Sequence, residues 1–120
     1  SCATCHRMNG RGRAFGPDLA SLKNRTAAAL MTDILNPNRS IADGYEYWTA
    51  ETTDGRQISG VLASENASAI TLRDLSGKDT PVARAAIKKL TAAPNSAMPA
   101  GLENAVSPQQ MADLLAFLKK

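Results

Sequence analysis

The chain has few of the residue types that commonly build binding and catalytic sites. Its 120 residues include one histidine and two cysteines, and its aromatic side chains are two phenylalanines, two tyrosines and one tryptophan. A chain of this length supports one domain, which we take to span residues 1–120, and with so few aromatics its own side chains make only a modest core.

Strong charge of one sign and long apolar runs are also missing. The formal net charge is +3 at pH 7, with the lysines and arginines scattered along the sequence, whereas a nucleic-acid binder shows a concentrated basic stripe. No apolar run approaches the length needed to cross a bilayer, and nothing resembles an export signal. We therefore expect no nucleic-acid partner and no membrane span in this chain, while the cations could serve to dock an acidic protein.

The two cysteines and the histidine lie together in Cys2-Ala3-Thr4-Cys5-His6. Thiols at this spacing can both add to the vinyl groups of one haem edge, and the histidine that follows is placed to bind the iron. The segment predicts one covalently bound haem c, attached through Cys2 and Cys5, with His6 as an iron ligand. A buried porphyrin would add the apolar surface that the side chains lack. Because such attachment takes place outside the bacterial cytoplasm, we expect a periplasmic or otherwise exported protein whose export signal has been removed.

The second iron ligand must come from a distant part of the chain. His6 is the only histidine, so methionine is the remaining usual choice. Met8 is too close to His6 to reach the opposite face, while Met31 and Met111 fall in the apolar stripes of predicted helices. Met98 lies in a loop with proline ahead of the last helix, and we predict that it is the ligand.

Three further residues are predicted to serve the cofactor. Pro17 has a free carbonyl on a stiff backbone, which suits it to accept a hydrogen bond from the far nitrogen of the iron-bound histidine. Leu19 would pack against the haem ring. Trp48 could donate a hydrogen bond to a haem propionate. Each residue also has an ordinary structural interpretation: Pro17 could belong to a simple turn, Leu19 to the core and Trp48 to the packed face of a sheet.

Apolar spacing predicts both helices and strands. Helices are expected over residues 2–9, 27–36 and from about 108 onward, the last begun by a capping box at Ser107. Extended segments flank the tight-turn signal Asp54-Gly55, and two more strands are expected at 69–74 and 80–83. Residues 84–90 could form a helical turn that leads into a last short strand.

The order of Cys2-Ala3-Thr4-Cys5-His6, Gly16-Pro17-Asp18-Leu19 and Met98-Pro99 resembles that of a class I cytochrome c. The chain is more similar still to one branch, the haem-binding domain of the Pirellula/Verrucomicrobium type, commonly found at the end of large secreted multidomain proteins. The segments that suggest this branch are Ile34-Leu35-Asn36-Pro37, Tyr45-Glu46, Asp54-Gly55-Arg56, Ser59-Gly60-Val61-Leu62 and Ser96-Ala97-Met98-Pro99-Ala100-Gly101-Leu102.

This resemblance implies a mainly α fold, a cytochrome c-like helical haem domain with a small antiparallel β-sheet insertion over about residues 45–90. It implies covalent haem on Cys2 and Cys5, axial ligation by His6 and Met98, and Leu102 among the cofactor-binding residues. The implied activity is electron transfer rather than catalysis, toward a redox partner protein or a fused dehydrogenase domain. One departure is that the helix preceding the attachment motif in class I members is missing from this sequence.

Two other functions could use parts of the same motif. In a gas-binding sensor, carbon monoxide or nitric oxide would displace a labile Met98. A thiol redox enzyme or a zinc site could instead use Cys2 and Cys5, but thioredoxin-like chemistry expects a strand and helix unit around the motif, and zinc would need two further strong ligands. The residue pattern favours the electron carrier.

Overall fold

The computed structural model describes residues 2–120 and contains about as much strand as helix. Helical residues, including short 3-10 turns, make up 29% of it and strand residues another 29%. The expected mainly α fold class is therefore wrong. The two α-helices found in the described residues are short, while the strands form a five-stranded antiparallel sheet.

The two helices begin at capped positions that the sequence specifies. Helix α1 spans Ala27–Leu35, with the Thr26 side chain accepting a hydrogen bond from the Ala29 N–H at 3.1 Å. Helix α2 spans Pro108–Leu118 and begins at a capping box. The helices pack on each other, α1 also on the 3-10 turn Leu102–Ala105, and α2 on the 3-10 turn Leu19–Leu22.

The helix expected over residues 2–9 is also wrong. Cys2–Thr4 forms only one 3-10 turn, and a small hairpin follows, with β1 at Arg7–Met8 and β2 at Arg11–Gly12. The turn between these strands has φ of 52° at Asn9 and 80° at Gly10. An Asn-Gly pair with two positive φ angles is the preferred two-residue hairpin turn, so local turn chemistry prevails over helix propensity here.

The five-stranded sheet consists of β3 (Tyr47–Thr52), β4 (Gln57–Glu65), β5 (Ala69–Arg73), β6 (Asp79–Ala83) and β7 (Ile87–Ala92). The order is β6-β5-β4-β3-β7, with every neighbouring pair antiparallel. The first four strands form a meander, and a 3-10 turn at Arg84–Ala86 then returns the chain so that β7 pairs with β3.

One face of the sheet carries its own core. Alternate residues point to this face, and the most buried are Ala50, Ile70, Leu72 and Val82, each at most 4% exposed. The half-buried Trp48, Ile58, Leu62 and Ile87 pack around them.

The molecule is elongated, with extents of 50 × 26 × 21 Å and a radius of gyration of 16.1 Å. A compact domain of this length would have a radius of gyration of about 14 Å. The helices pack chiefly with each other and with the 3-10 turns, and the strands with other strands. The helical part and the sheet are therefore two neighbouring packing units. No helix in residues 2–120 is long and apolar enough to cross a membrane.

Candidate functional site

The predicted attachment segment is a tight, locally hydrogen-bonded turn. The backbone N–H groups of Cys5 and His6 both donate to the Cys2 carbonyl, at 3.1 and 2.9 Å. Both cysteines are free thiols, with Cys2 exposed and Cys5 half-buried. Since neither sulfur is held in a disulfide, both are chemically available to form thioether bonds.

The His6 ring is held at one nitrogen. Its Nδ1 lies 2.7 Å from the Pro17 carbonyl oxygen. Because a carbonyl can only accept, Nδ1 carries the proton and donates, and Nε2 keeps its lone pair. An imidazole in this tautomer, with its far nitrogen hydrogen-bonded to a backbone carbonyl, has the arrangement of a metal-binding histidine.

Gly16 packs directly against the face of this imidazole. A Cβ atom built at Gly16 would lie 2.7 Å from His6 Cε1 and 2.9 Å from Nδ1, closer than real carbon contacts allow. The backbone around Gly16 therefore limits the positions that the ring can adopt. Glycine at this position is needed for the close approach and not for an unusual φ angle.

Backbone hydrogen bonds tie the loop that carries Pro17 to the attachment turn. Arg13 N–H donates to the Ala3 carbonyl at 3.1 Å, and the N–H groups of Phe15 and Gly16 both donate to the Cys5 carbonyl, at 3.1 and 2.6 Å. Phe15 is buried, with 4% of its surface exposed.

Gly12 lets this loop approach the attachment turn. Its φ is 91°, and a Cβ there would lie 2.1 Å from the His6 carbonyl oxygen. The roles of Gly12, Phe15 and Gly16 were not predicted from the sequence. The cluster of glycines after the attachment motif was the available signal, since it indicates close backbone contacts.

The sheet contacts this loop through Arg73, at the end of β5. Arg73 Nη1 donates to the Ala14 carbonyl at 2.8 Å, and its Nε and Nη2 donate to the two carboxylate oxygens of Asp79 at 2.7 and 3.0 Å. The hydrogen bonds between the two side chains raise the pKa of Arg73 and lower the pKa of Asp79. Nearby, the rings of Phe15 and Tyr47 have centroids 6.4 Å apart.

Met98 lies in a hydrogen-bonded loop that follows the last strand of the sheet, β7, in sequence. It is half-buried, and its N–H donates to Ser96 Oγ at 3.1 Å. The N–H of Ser96 in turn donates to Oδ1 of Asn38, just beyond α1, at 2.7 Å. The loop therefore has a defined position next to the end of α1. Its role as the second iron ligand stays a prediction.

The other predicted site residues lie in different surroundings. Leu19 begins the 3-10 turn that packs on β1 and α2, and Leu102 begins the turn that packs on α1; both are half-buried. Trp48 packs against the sheet core, with Gly60 as its cross-strand neighbour. The structure thus places Pro17 at His6 and Trp48 within the sheet, and the propionate role of Trp48 stays a prediction.

The donor set fits a covalently attached haem. The segment supplies two free thiols and an imidazole with one uncommitted nitrogen within five consecutive residues. The side chains of Leu19, Met98 and Leu102 offer half-buried apolar surface of the kind that a porphyrin face requires.

A comparison with protein families matched residues 1–72 to the model described as Cytochrome c. This range includes the attachment segment, Pro17 and α1, and it ends within β5. A search of curated proteins found no match.

Proposed function

Because this chain belongs to the cytochrome c family, whose members transfer electrons through covalently bound haem c, we propose that it is a monohaem carrier with His6 and Met98 as iron ligands. The observation that carries the proposal is the hydrogen bond between His6 Nδ1 and the Pro17 carbonyl, which leaves Nε2 available within the attachment segment. In this proposal no side chain performs acid or base chemistry.

Each part of the attachment region has a separate task. Cys2 and Cys5 hold the haem edge through thioether bonds, and Nε2 of His6 binds the iron. The Pro17 carbonyl fixes the ring orientation by accepting a hydrogen bond from Nδ1–H, which directs Nε2 toward the iron. Haem supplies an iron that changes reversibly between the ferrous and ferric states. The chain holds, orients and insulates that group, which keeps reorganisation small.

The choice of Met98 is supported by the positions of the four methionines. Met8 lies in β1, two residues beyond His6, and Met111 is 8% exposed within the helical core. Met31 is 42% exposed on α1. Met98 is half-buried in a loop held to Asn38 through Ser96, so its side chain can be presented from a fixed backbone.

The finer relationship, to the haem-binding domain of the Pirellula/Verrucomicrobium type, also belongs to this proposal. It is supported by the sequence segments that resemble this branch and by the presence of a sheet where the insertion was expected. With this relationship we propose that the chain acts as one domain, exported to the periplasm or beyond, and exchanges electrons with a redox partner or a fused dehydrogenase domain. No observation favours the gas-binding alternative.

Two measurements on the purified protein test the proposal. The intact mass should exceed that of the polypeptide by one haem, and Cys2→Ala with Cys5→Ala should abolish covalent attachment. The oxidised protein should show the sulfur-to-iron charge-transfer absorption of a methionine-ligated haem, and this band should disappear in Met98→Ala.

Met31→Ala is the matched control because it removes an exposed thioether from the same chain. The band should persist in that variant. A band that is absent from the wild type, or that survives Met98→Ala, would overturn the ligand assignment, whereas a mass without haem would overturn the proposed function itself.

A further inference from the structure

Arg73 joins the sheet to the loop behind His6. Its guanidinium donates from Nε and Nη2 to Asp79, its cross-strand neighbour on β6, and from Nη1 to the carbonyl of Ala14, 59 positions away in sequence. The Arg73 side chain is 31% exposed, the lowest value for a cation in any ion pair within residues 2–120. The two-point contact with Asp79 holds the guanidinium in one plane and directs Nη1 at the loop.

The Ala14 carbonyl lies within a short, doubly anchored stretch of backbone. On one side Arg13 N–H is bonded to Ala3, and on the other the N–H groups of Phe15 and Gly16 are bonded to Cys5. Pro17, whose carbonyl accepts from His6, follows directly. Three peptide bonds thus separate Ala14 from Pro17, whose carbonyl accepts the hydrogen bond from the imidazole.

We propose that Arg73 is a positioning residue for the iron ligand: by holding the Ala14 carbonyl it sets the hydrogen bond between Pro17 and His6, and so couples the sheet to the reduction potential of the haem. This inference rests on the proposed function for the binding of iron by His6. Under this inference the sheet influences the haem iron through Arg73, although its strands pack mainly on one another.

The two effects of removing Arg73 have opposite signs. A tight hydrogen bond at Nδ1 makes Nε2 a stronger donor and stabilises ferric iron, so loosening it raises the reduction potential. Loss of a positive charge near the haem stabilises ferric iron and lowers the potential. A variant that removes the charges of Arg73 and Asp79 together leaves the formal charge of the pair at zero and isolates the positioning effect.

The decisive variant is Arg73→Leu/Asp79→Asn in the holoprotein. We expect a higher reduction potential than in the wild type and faster solvent exchange of the His6 Nδ1 proton, observed by NMR in the reduced state. Arg84→Leu/Glu65→Gln is the matched control. Arg84 donates to Glu65 at 3.0 Å and to the Asn66 carbonyl at 2.8 Å, so it also joins a carboxylate to a backbone carbonyl, but with a single hydrogen bond to the carboxylate and no hydrogen bond to the loop that carries Pro17. Potential and exchange should be unchanged in this control.

An unchanged potential and exchange rate in folded Arg73→Leu/Asp79→Asn would overturn the inference, as would equal changes in the control. If this variant does not fold, Arg73→Lys decides the matter. Lysine keeps the positive charge but lacks the guanidinium group that donates to Asp79 and Ala14 together. Faster exchange of the His6 Nδ1 proton in this variant would support the coupling, and exchange at the wild-type rate would refute it. If the wild type carries no haem, the proposed function fails. The Nδ1 exchange of the haem-free chain then still tests the coupling.

Discussion

Alanine substitutions at two glycines of the β1–β2 hairpin distinguish the free-energy cost of an unfavourable backbone conformation from the cost of steric crowding. Gly10 and Gly12 have similar φ angles, 80° and 91°. A Cβ at Gly10 would meet nothing within 4 Å, whereas a Cβ at Gly12 would lie 2.1 Å from the His6 carbonyl oxygen and 3.2 Å from the Ala3 carbonyl oxygen. Substitution by alanine therefore forces a positive φ on an L-residue at both sites but causes a backbone collision only at Gly12.

The expected magnitudes follow from this difference. Gly10→Ala should lower the free energy of unfolding by about 1–2 kcal/mol, the cost of a left-handed conformation for an L-residue. Gly12→Ala should cost about 1–3 kcal/mol more, because overpacked groups must shift and the atoms concerned are backbone atoms. The strand pair would then move away from the attachment turn.

Guanidinium unfolding of the two holoproteins, followed by the haem absorption and by far-ultraviolet circular dichroism, measures these costs. The slope against denaturant should stay at the wild-type value, so that the midpoints report stability alone. Equal losses of stability in Gly10→Ala and Gly12→Ala would refute the reasoning, because strain would then explain both and the close approach at His6 would carry no energetic cost.

Three other perturbations give distinct readouts. Gly16→Ala places a methyl group against the His6 ring and should perturb the haem absorption spectrum more than it lowers stability; a wild-type spectrum would contradict the packing described. Leu72→Ala, at a site 1% exposed, should cost about 2–5 kcal/mol, and if the chain is one domain the haem and circular-dichroism transitions should shift together. The hydrogen bonds from Arg73 lower the pKa of Asp79 in the folded state. The stability that Asp79 contributes is therefore fully present above the unfolded pKa of about 4, and it is lost as the pH falls through the folded pKa. Asp79→Asn should therefore lose less stability than the wild type on acidification below about pH 4, and an identical loss would contradict this.

The regular elements could be predicted where a local signal marks their ends. The helix expected at 27–36 is found at Ala27–Leu35, and the capping box at Ser107 correctly indicated the start of α2. The Asp54-Gly55 signal lies in the turn between β3 and β4, and the helical turn expected from residue 84 is the 3-10 turn Arg84–Ala86 that precedes β7. Each of these features depends on a few neighbouring residues.

The sequence-based predictions fail where competing local signals, or contacts between residues far apart in sequence, determine the structure. The expected helix over residues 2–9 conflicts with Asn9-Gly10, which is a strong hairpin signal. The expected mainly α fold class is wrong because the strands occupy as many residues as the helices. The contact between Arg73 and Ala14 joins positions 59 apart and leaves no periodic trace in the sequence. The attachment segment and the nearby Pro17 carbonyl could be predicted, whereas the contact from the sheet to the loop behind His6 comes from a distant position.

The hydrogen bond between Ser96 and Asn38 also has a consequence for the order of folding. These residues are 58 positions apart, and closing a flexible loop of that length costs about 3–4 kcal/mol of chain entropy. Once β3 to β7 have formed, the two connecting segments leave a structured sheet, and the effective loop is much shorter. Formation of the sheet should therefore precede the arrival of the Met98 loop, which would reach its final position next to Asn38 late in folding.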